Sequence, residues 1–105
     1  MSDTQNKIKK LIESNKVVIF MKGTPEAPQC GFSARSIQCL QGVKAPIVAI
    51  DVLSDPEIRE GVKQFTQWPT IPQIFINGEF IGGCDIVTEM FQSGELKKAI
   101  DESVH

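Results

Sequence analysis

Short apolar runs separated by turn-forming residues dominate this chain, and they predict a sheet. Val17–Met21 is a continuous apolar run, typical of a strand buried on both faces, and Ile47–Ile50 is a second run. Two further strands, Gln73–Ile76 and Glu79–Ile81, are joined by Asn77-Gly78, which is the strongest local signal for a β-hairpin. The pattern therefore predicts four strands, of which the last two are antiparallel neighbours.

Helices are predicted before, between and after these strands from apolar spacing and capping residues. Asp3 or Thr4 can cap the first helix, and Asp85 can cap the helix after the hairpin. Asp55, followed by proline and an acid, is a strong helix start. The predicted helices are Thr4–Asn15, residues 34–40, the segment after Asp55, the segment after Asp85, and Glu95–Glu102.

The order α, β, α, β, α, hairpin, α predicts an α/β fold. A four-stranded mixed sheet flanked by helices on both faces is its compact solution, with the first two strands parallel. The chain has 105 residues, of which 41% are apolar and 23% charged. That length and composition suit one globular domain, which we assign to residues 1–105.

Charge and hydropathy exclude several classes of partner. The chain contains eleven Lys and Arg against thirteen Asp and Glu residues, so no basic surface for nucleic acid is expected. No apolar run approaches the ~20 residues that a membrane helix needs, so no membrane partner is expected either. Met1–Lys10 resembles neither a signal peptide nor a transit peptide. We expect a cytoplasmic protein; an organelle form whose transit peptide has been trimmed is the alternative.

The three cysteines are the most informative residues. Their number is odd, so Cys30, Cys39 and Cys84 cannot all pair within one chain. They contain no C-x-x-C pair, and the single histidine is His105, so a structural zinc site is not expected. In a reducing compartment, a lone exposed cysteine is more often reactive or metal-binding than structural.

Cys30 has the sequence context of a reactive thiol. It follows a proline-containing loop and opens a helix, where free backbone N–H groups and the helix dipole stabilise a thiolate. Lys22 is a second source of positive charge. The alternative, a buried inert thiol, fits poorly because Cys30 lies between the polar Gln29 and Gly31. The position predicts a lowered pKa for the Cys30 thiol.

Three separated motifs resemble those of monothiol glutaredoxins of the CGFS type. They are Lys22-Gly23-Thr24-Pro25 before Cys30-Gly31-Phe32-Ser33, then Trp68-Pro69-Thr70-Ile71-Pro72-Gln73, then Gly82-Gly83-Cys84-Asp85. The resemblance covers almost the whole chain. It implies a thioredoxin-like (glutaredoxin) fold, which agrees with the predicted element order, and a short single-domain form with no thioredoxin domain upstream.

The spacing of the thiols limits their chemistry. Ser33 occupies the place of the resolving cysteine of dithiol relatives and cannot form a disulfide. Cys39, nine residues along the same helix, is predicted on the opposite face about 13 Å away, beyond disulfide reach, as a buried residue. Cys84 either pairs with Cys30 or fills space in the ligand groove, and these alternatives stay open.

The resemblance also implies a glutathione groove. Thr70-Ile71-Pro72 resembles the cis-proline segment of the family, whose backbone edge can pair with a peptide-like ligand. The two carboxylates of glutathione call for cations and helix N-termini, and Lys63 is a further candidate cation. Without the motif, Arg59 would be an ordinary solvated helix residue. The implied glutathione contacts are Lys22, Arg59, Ile71, Cys84 and Asp85.

Two aromatic residues beside this groove have more than one interpretation. Trp68 is by default a partly buried packing residue, although the resemblance places it near the site where the family binds an iron–sulfur cluster. Phe32 either packs on Cys30 or faces a partner.

A [2Fe–2S] cluster in its all-sulfur form needs four thiolates. One chain supplies Cys30 as metal ligand, a second copy supplies another, and two glutathione molecules supply the rest. The resemblance therefore implies a cluster-bridged homodimer. Its labile cluster would pass to iron–sulfur acceptor proteins, with a BolA-like protein as a further partner.

Two other functions stay open. The first is a glutathione-dependent thiol–disulfide oxidoreductase that removes glutathione from protein thiols with Cys30 as its catalytic nucleophile. Any such enzyme activity is expected to be weak. The second is a redox-inactive adaptor that only binds partners.

Overall fold

The computed structural model describes residues 2–102, where the elements follow the predicted order. Met1 and residues 103–105, which include His105 and the two ends of the predicted domain, lie outside the described residues. No helix within residues 2–102 has the length and apolar character needed to cross a bilayer. The elements are α1 Asp3–Ser14, β1 Val17–Met21, α2 Gly31–Gly42, β2 Ile47–Asp51, α3 Pro56–Thr66, β3 Gln73–Ile76, β4 Glu79–Gly82, α4 Cys84–Ser93 and α5 Glu95–Glu102.

The four strands form one mixed sheet in the order β2-β1-β3-β4. β1 pairs in parallel with β2, placing Ile19 opposite Ala49, and antiparallel with β3, placing Ile19 opposite Ile74. Asn77 and Gly78 both have positive φ, 53° and 82°, as a two-residue turn between antiparallel strands requires. The predicted four-stranded mixed sheet and its hairpin are confirmed.

Alternate residues of β1 pack into two separate cores. Val17, Ile19 and Met21 pack with α2, α4 and α5 on one face of the sheet. Val18 and Phe20 pack with α1 and α3 on the other face. Because successive side chains of a strand point to opposite faces, a run that is apolar at every position must be covered on both. The predicted helices on both faces are thus confirmed.

The start of α1 differs from the prediction. Ser2 is the N-cap, because its hydroxyl accepts the Gln5 N–H at 3.1 Å. Asp3 and Thr4, the predicted caps, lie inside the first turn. An acid there interacts favourably with the positive end of the helix dipole.

The start of α4 also differs. The N-cap is Gly83, whose carbonyl accepts the Val87 N–H at 3.1 Å, and the helix begins at Cys84. Asp85 is therefore a first-turn residue and does not cap the helix. Both corrections have one physical reason: the residue where the backbone leaves the extended conformation becomes the cap, whether or not a stronger capping side chain follows it.

Candidate functional site

Cys30 lies between β1 and α2, at the sheet edge where parallel β1 and β2 both end. Its extended backbone makes it the N-cap of α2, and the first helical hydrogen bond runs from the Ala34 N–H to its carbonyl at 2.9 Å. Its side chain is partly exposed. The prediction that Cys30 opens a helix is confirmed, and the alternative of a buried thiol is wrong.

The loop before Cys30 is held at both ends. The Lys22 N–H donates to the hydroxyl of the fully buried Ser33 at 3.1 Å, and the Lys22 carbonyl accepts the Gln29 N–H at 2.9 Å. The Gly23 N–H donates to the Asp51 carboxylate at 2.9 Å, which joins the loop to the end of β2. Cys30 is therefore presented by an ordered loop, and Ser33 helps to anchor it.

Backbone amides at the start of α2 lower the pKa of the Cys30 thiol. The Ser33 N–H is the largest cause, and the Phe32 N–H, the Ser33 hydroxyl and the Lys22 charge add to it, while partial burial opposes them. These groups favour the thiolate over the thiol. The direction agrees with the prediction, although the amides contribute more than Lys22.

The other two thiols are buried, and both lie near Thr88 of α4. Cys39 is 6% exposed and Cys84 is 7% exposed, and their sulfurs lie 4.0 and 3.8 Å from the Thr88 hydroxyl. The prediction of a buried Cys39 is confirmed. All three cysteines are free thiols in this structure, and the two alternatives for Cys84, a disulfide with Cys30 or a space-filling role in the groove, stay open.

A cavity of about 460 Å³ opens beside Cys30. Residues from α2, α3, α4 and the loops after β1 and α3 contribute to its lining, although they are far apart in sequence. All six candidate residues lie on its wall, together with Lys63: Lys22, Cys30, Arg59, Ile71, Cys84 and Asp85.

Positive charge exceeds negative charge on this wall. The wall contains three cationic side chains, those of Lys22, Arg59 and Lys63, and one carboxylate, that of Asp85. Lys63 lies 3.8 Å from Glu60, whereas the buried Nε of Arg59 has no hydrogen-bond partner within residues 2–102. A wall of this kind suits a ligand that carries more carboxylates than amines.

One side of the cavity is formed by the segment from Trp68 to Pro72, in which the Ile71–Pro72 peptide bond is cis, as the resemblance implied. The pairing of β3 with β1 ends at Gln73 opposite Phe20, so Ile71 lies beyond the ladder. In the described part of the chain, no hydrogen bond is made to the backbone N–H or C=O of Ile71. This free edge can pair with an extended peptide-like ligand.

Two polar residues behind this segment, Thr66 and Gln73, were not among the predicted site residues. Gln73 is fully buried, and its amide donates to the carbonyls of Trp68 at 3.0 Å and Thr70 at 3.1 Å. The Thr66 hydroxyl lies 2.9 Å from the Gln73 side-chain oxygen and accepts the Trp68 N–H at 3.1 Å. The available signal was one polar residue at the start of an otherwise apolar strand.

The opposite wall depends on close backbone approach. A side-chain carbon at Gly83 would lie 3.2 Å from the Pro72 carbonyl, and Gly82 has a φ of +144° that favours glycine. Gly83 therefore lets the start of α4 approach the cis-proline segment closely, whereas Gly82 permits the backbone conformation just before it.

Exposed apolar side chains surround the opening. Phe32 is 64% exposed, which excludes packing on Cys30 as its main role, and Ile86 is 42% exposed. Trp68 is 42% exposed and packs edge-on against Phe80, with ring centroids 5.9 Å apart. Trp68 is thus both a packing residue and part of the cavity wall.

Residues 2–102 contain no group of three or more Cys, His, Asp or Glu side chains placed to hold a metal ion. One chain by itself therefore offers the cavity one accessible thiol, that of Cys30. Any iron–sulfur cluster held here needs ligands from outside the chain.

Comparison with known proteins agrees with this geometry. Monothiol glutaredoxin-5, mitochondrial, of Lachancea kluyveri is 54% identical over 97% of this chain and 73% of its own. Glutaredoxin 4 of Buchnera aphidicola is 47% identical over 95% of this chain and 93% of its own. The crystal structure of a buckwheat glutaredoxin–glutathione complex superposes with a TM-score of 0.84 at 29% identity, covering 95% of this chain and 89% of that one.

The sequence model of the family described as Glutaredoxin matches residues 17–81, which run from the start of β1 into β4. The matched region contains Cys30, the segment from Trp68 to Pro72, strands β1 to β3 and most of β4. The thioredoxin-like α/β fold, the single thiol at the start of α2 and the named relatives lead to one conclusion. The chain belongs to the glutaredoxin family, and within it to the monothiol glutaredoxins.

Proposed function

We propose that this chain, as one domain over residues 1–105, binds glutathione and carries a labile [2Fe–2S] cluster between two copies. It would deliver that cluster to iron–sulfur acceptor proteins. One observation supports this most strongly: Cys30, a partly exposed thiol whose pKa is lowered by the start of α2, lines a cationic groove, and residues 2–102 contain no second exposed thiol.

Glutathione suits the groove in charge and shape. Its backbone would pair with the free N–H and C=O of Ile71, as an added strand does. Its two carboxylates would lie against Lys22 and Arg59, whose buried Nε lacks a partner in the described chain. Asp85 would meet the amino group, and Cys84 would form the floor. The buckwheat protein with a similar fold was crystallised as a glutathione complex.

The ligand count supports a dimer. A cluster of this type takes four thiolates, and Cys30 is the accessible thiol that the described chain offers. Two chains and two bound glutathione molecules supply four. Because two of those ligands are exchangeable small molecules, the cluster would be a cargo rather than a permanent centre. Exposed Phe32 and Trp68 would face the second copy.

Partners and compartment follow from this role. We propose a BolA-like protein and iron–sulfur acceptor proteins as partners, with no nucleic acid and no membrane. The cytoplasm is the proposed compartment, with an organelle as the alternative. One relative is named mitochondrial and another is bacterial, so relatives occur in both settings.

A second candidate function rests on the same thiol. The Cys30 thiolate would attack the glutathione sulfur of a mixed disulfide, so the protein thiolate leaves and takes up a proton. A free glutathione thiolate would then attack the Cys30 mixed disulfide, releasing glutathione disulfide and restoring the Cys30 thiolate. The lowered pKa of Cys30 favours this chemistry, and Ser33 leaves no resolving thiol within the motif.

Anaerobic reconstitution separates the two functions. Protein given iron, sulfide and glutathione should become a brown dimer with visible absorption, and omission of glutathione should leave a colourless monomer. A cluster that forms equally well without glutathione would contradict the proposed ligand set. Rapid turnover of a small glutathione mixed disulfide, with no cluster formed, would favour the oxidoreductase.

A further inference from the structure

Gln73 is a polar side chain in an otherwise apolar strand. It is fully buried, and its neighbours along β3 are Ile74, Phe75 and Ile76. Burial of an amide costs free energy unless its hydrogen bonds are made, so an apolar residue would be expected here if packing were its only role. The Gln73 side chain therefore needs an explanation beyond the core.

The hydrogen bonds of this side chain go to the segment from Trp68 to Pro72 and to the end of α3. Nε2 donates to the carbonyls of Trp68 and Thr70, and Oε1 lies 2.9 Å from the hydroxyl of Thr66, the last residue of α3. That hydroxyl in turn accepts the Trp68 N–H at 3.1 Å. Gln73 and Thr66 thus hold the segment that forms the wall of the groove, rather than its neighbours in the sheet.

The bond to Thr70 has a direct consequence for Ile71. The carbonyl of Thr70 and the N–H of Ile71 belong to the same peptide unit, which is trans because the cis bond in this segment is Ile71–Pro72. In a planar trans peptide the C=O and the N–H point in opposite directions. When Gln73 holds the Thr70 carbonyl inward, the Ile71 N–H must point away from the core.

We propose that Gln73 is a positioning residue that orients the Ile71 N–H toward the glutathione backbone. This inference rests on the proposed glutathione binding at the same groove. Gln73 does not touch the ligand itself: its amide fixes one peptide plane, and that plane presents the donor. Thr66 assists, because its hydroxyl lies 2.9 Å from the Gln73 oxygen, as well as 3.1 Å from the Val62 carbonyl, and accepts the Trp68 N–H. These contacts fix which end of the Gln73 amide faces the two carbonyls.

The test compares glutathione affinity and the Ile71 amide signal in matched variants. Gln73→Met keeps an unbranched side chain of similar length and removes both donors. The control is Gln5→Met, because the Gln5 amide also donates to a backbone carbonyl, that of Gly61 at 2.8 Å, but joins α1 to α3 away from the groove. Titration calorimetry gives the affinity for reduced glutathione, and ¹H–¹⁵N spectra follow Ile71.

Gln73→Met should weaken glutathione binding roughly three- to tenfold, the range expected for one lost hydrogen bond. The Ile71 amide should lose most of its glutathione-induced shift. Gln5→Met should lower thermal stability and leave both readouts unchanged. A folded Gln73→Met protein with wild-type affinity and an unchanged Ile71 shift would overturn the inference.

A second pair of variants, both at Thr66, tests the inference if the Gln73→Met protein fails to fold. Thr66→Val removes the hydroxyl that holds Gln73, whereas Thr66→Ser keeps it. Thr66→Val should weaken glutathione binding and Thr66→Ser should restore it. Equal affinities in this pair would overturn the role of the network. If the wild-type protein itself bound no glutathione, the proposed function would fail and this inference with it.

Discussion

Cys30 and Cys39 belong to the same helix, yet their surroundings have little in common. Cys30 caps the start of α2, is partly exposed, and faces backbone N–H groups that lower its pKa. Cys39 lies in the body of the helix, is 6% exposed, and has the Thr88 hydroxyl 4.0 Å from its sulfur. A place at the start of the helix, together with access to solvent, therefore distinguishes Cys30 from Cys39.

Cys84 is intermediate between these two. It is the first residue of α4, next to the N-cap, whereas Cys30 is itself the N-cap of α2. It lines the same cavity, but it is 7% exposed and contacts Thr88 as Cys39 does. Two helix starts at one edge of the sheet thus carry a thiol, and only Cys30 combines the helix start with access to solvent. The difference predicts that one of the three cysteines does the chemistry.

The largest expected effect is on thiol reactivity. In the native protein, Cys30 should react with iodoacetamide at least about a hundredfold faster than Cys39, because alkylation requires a thiolate that the reagent can reach. Mass spectrometry of the alkylated peptides gives the three rates separately. Comparable rates for Cys30 and Cys39 in folded protein would remove the distinction between the two thiols.

The next effect concerns the two arginines. Arg59→Met should weaken glutathione binding roughly tenfold or more, because a charge-assisted hydrogen bond to a carboxylate is lost. Arg35→Met is the matched control, since Arg35 is exposed on α2 and does not line this cavity. Titration calorimetry with glutathione compares them. An equal loss in both variants would show that general charge, rather than the groove, determines affinity.

The pH dependence of Cys30 alkylation should shift in a defined direction. The rate rises with pH as the thiol ionises, so a lowered pKa places the midpoint below that of an ordinary cysteine. Ser33→Ala removes the hydroxyl that favours the thiolate, so its midpoint should move upward. It should stay below the ordinary value because the Ser33 and Phe32 N–H groups remain.

Ser36→Ala is the matched control for this shift. Ser36 is also a fully buried serine of α2, and its hydroxyl donates to the Phe32 carbonyl at 2.9 Å instead of serving Cys30. Its rate profile should coincide with that of the wild-type protein. A midpoint that moves downward in Ser33→Ala, or moves equally in both variants, would contradict the assigned cause.

The smallest effect on function is expected at Cys39. Cys39→Ala removes a buried sulfur from the core and should lower the free energy of unfolding by about 1 kcal/mol. Glutathione affinity and Cys30 alkylation should not change. Urea denaturation measures the free energy of unfolding, titration calorimetry measures glutathione affinity, and mass spectrometry measures the rate of Cys30 alkylation. A loss of glutathione binding in a folded Cys39→Ala protein would give Cys39 a part in the site.

The sheet could be predicted from the sequence because its signals are local. Val17–Met21 is apolar at every position, and β1 has those bounds; Asn77-Gly78 predicted the hairpin that joins β3 to β4. The helix starts were less certain, because the cap is decided by backbone conformation. Ser2 and Gly83 cap α1 and α4, one and two residues before the nearest predicted caps.

The site could be predicted in its charged and thiol residues but not in its supports. Cys30, Lys22 and Arg59 were identified by motif and chemistry. The hydroxyl of Ser33, by contrast, accepts the Lys22 N–H, a contact between residues 11 apart that depends on how α2 packs on β1. Gln73 was missed for the same reason, since its partners lie in a segment whose path is set by tertiary structure.

The central claim is that Cys30 is the one cluster ligand of each chain and that glutathione completes the set. The most direct test is anaerobic reconstitution of Cys30→Ser beside Cys39→Ser, with iron, sulfide and glutathione measured in the isolated dimer. Cys39→Ser should bind about two irons, two sulfides and two glutathione molecules per dimer, while Cys30→Ser should stay a colourless monomer. A brown dimer formed by Cys30→Ser, or one that contains no glutathione, would contradict the account.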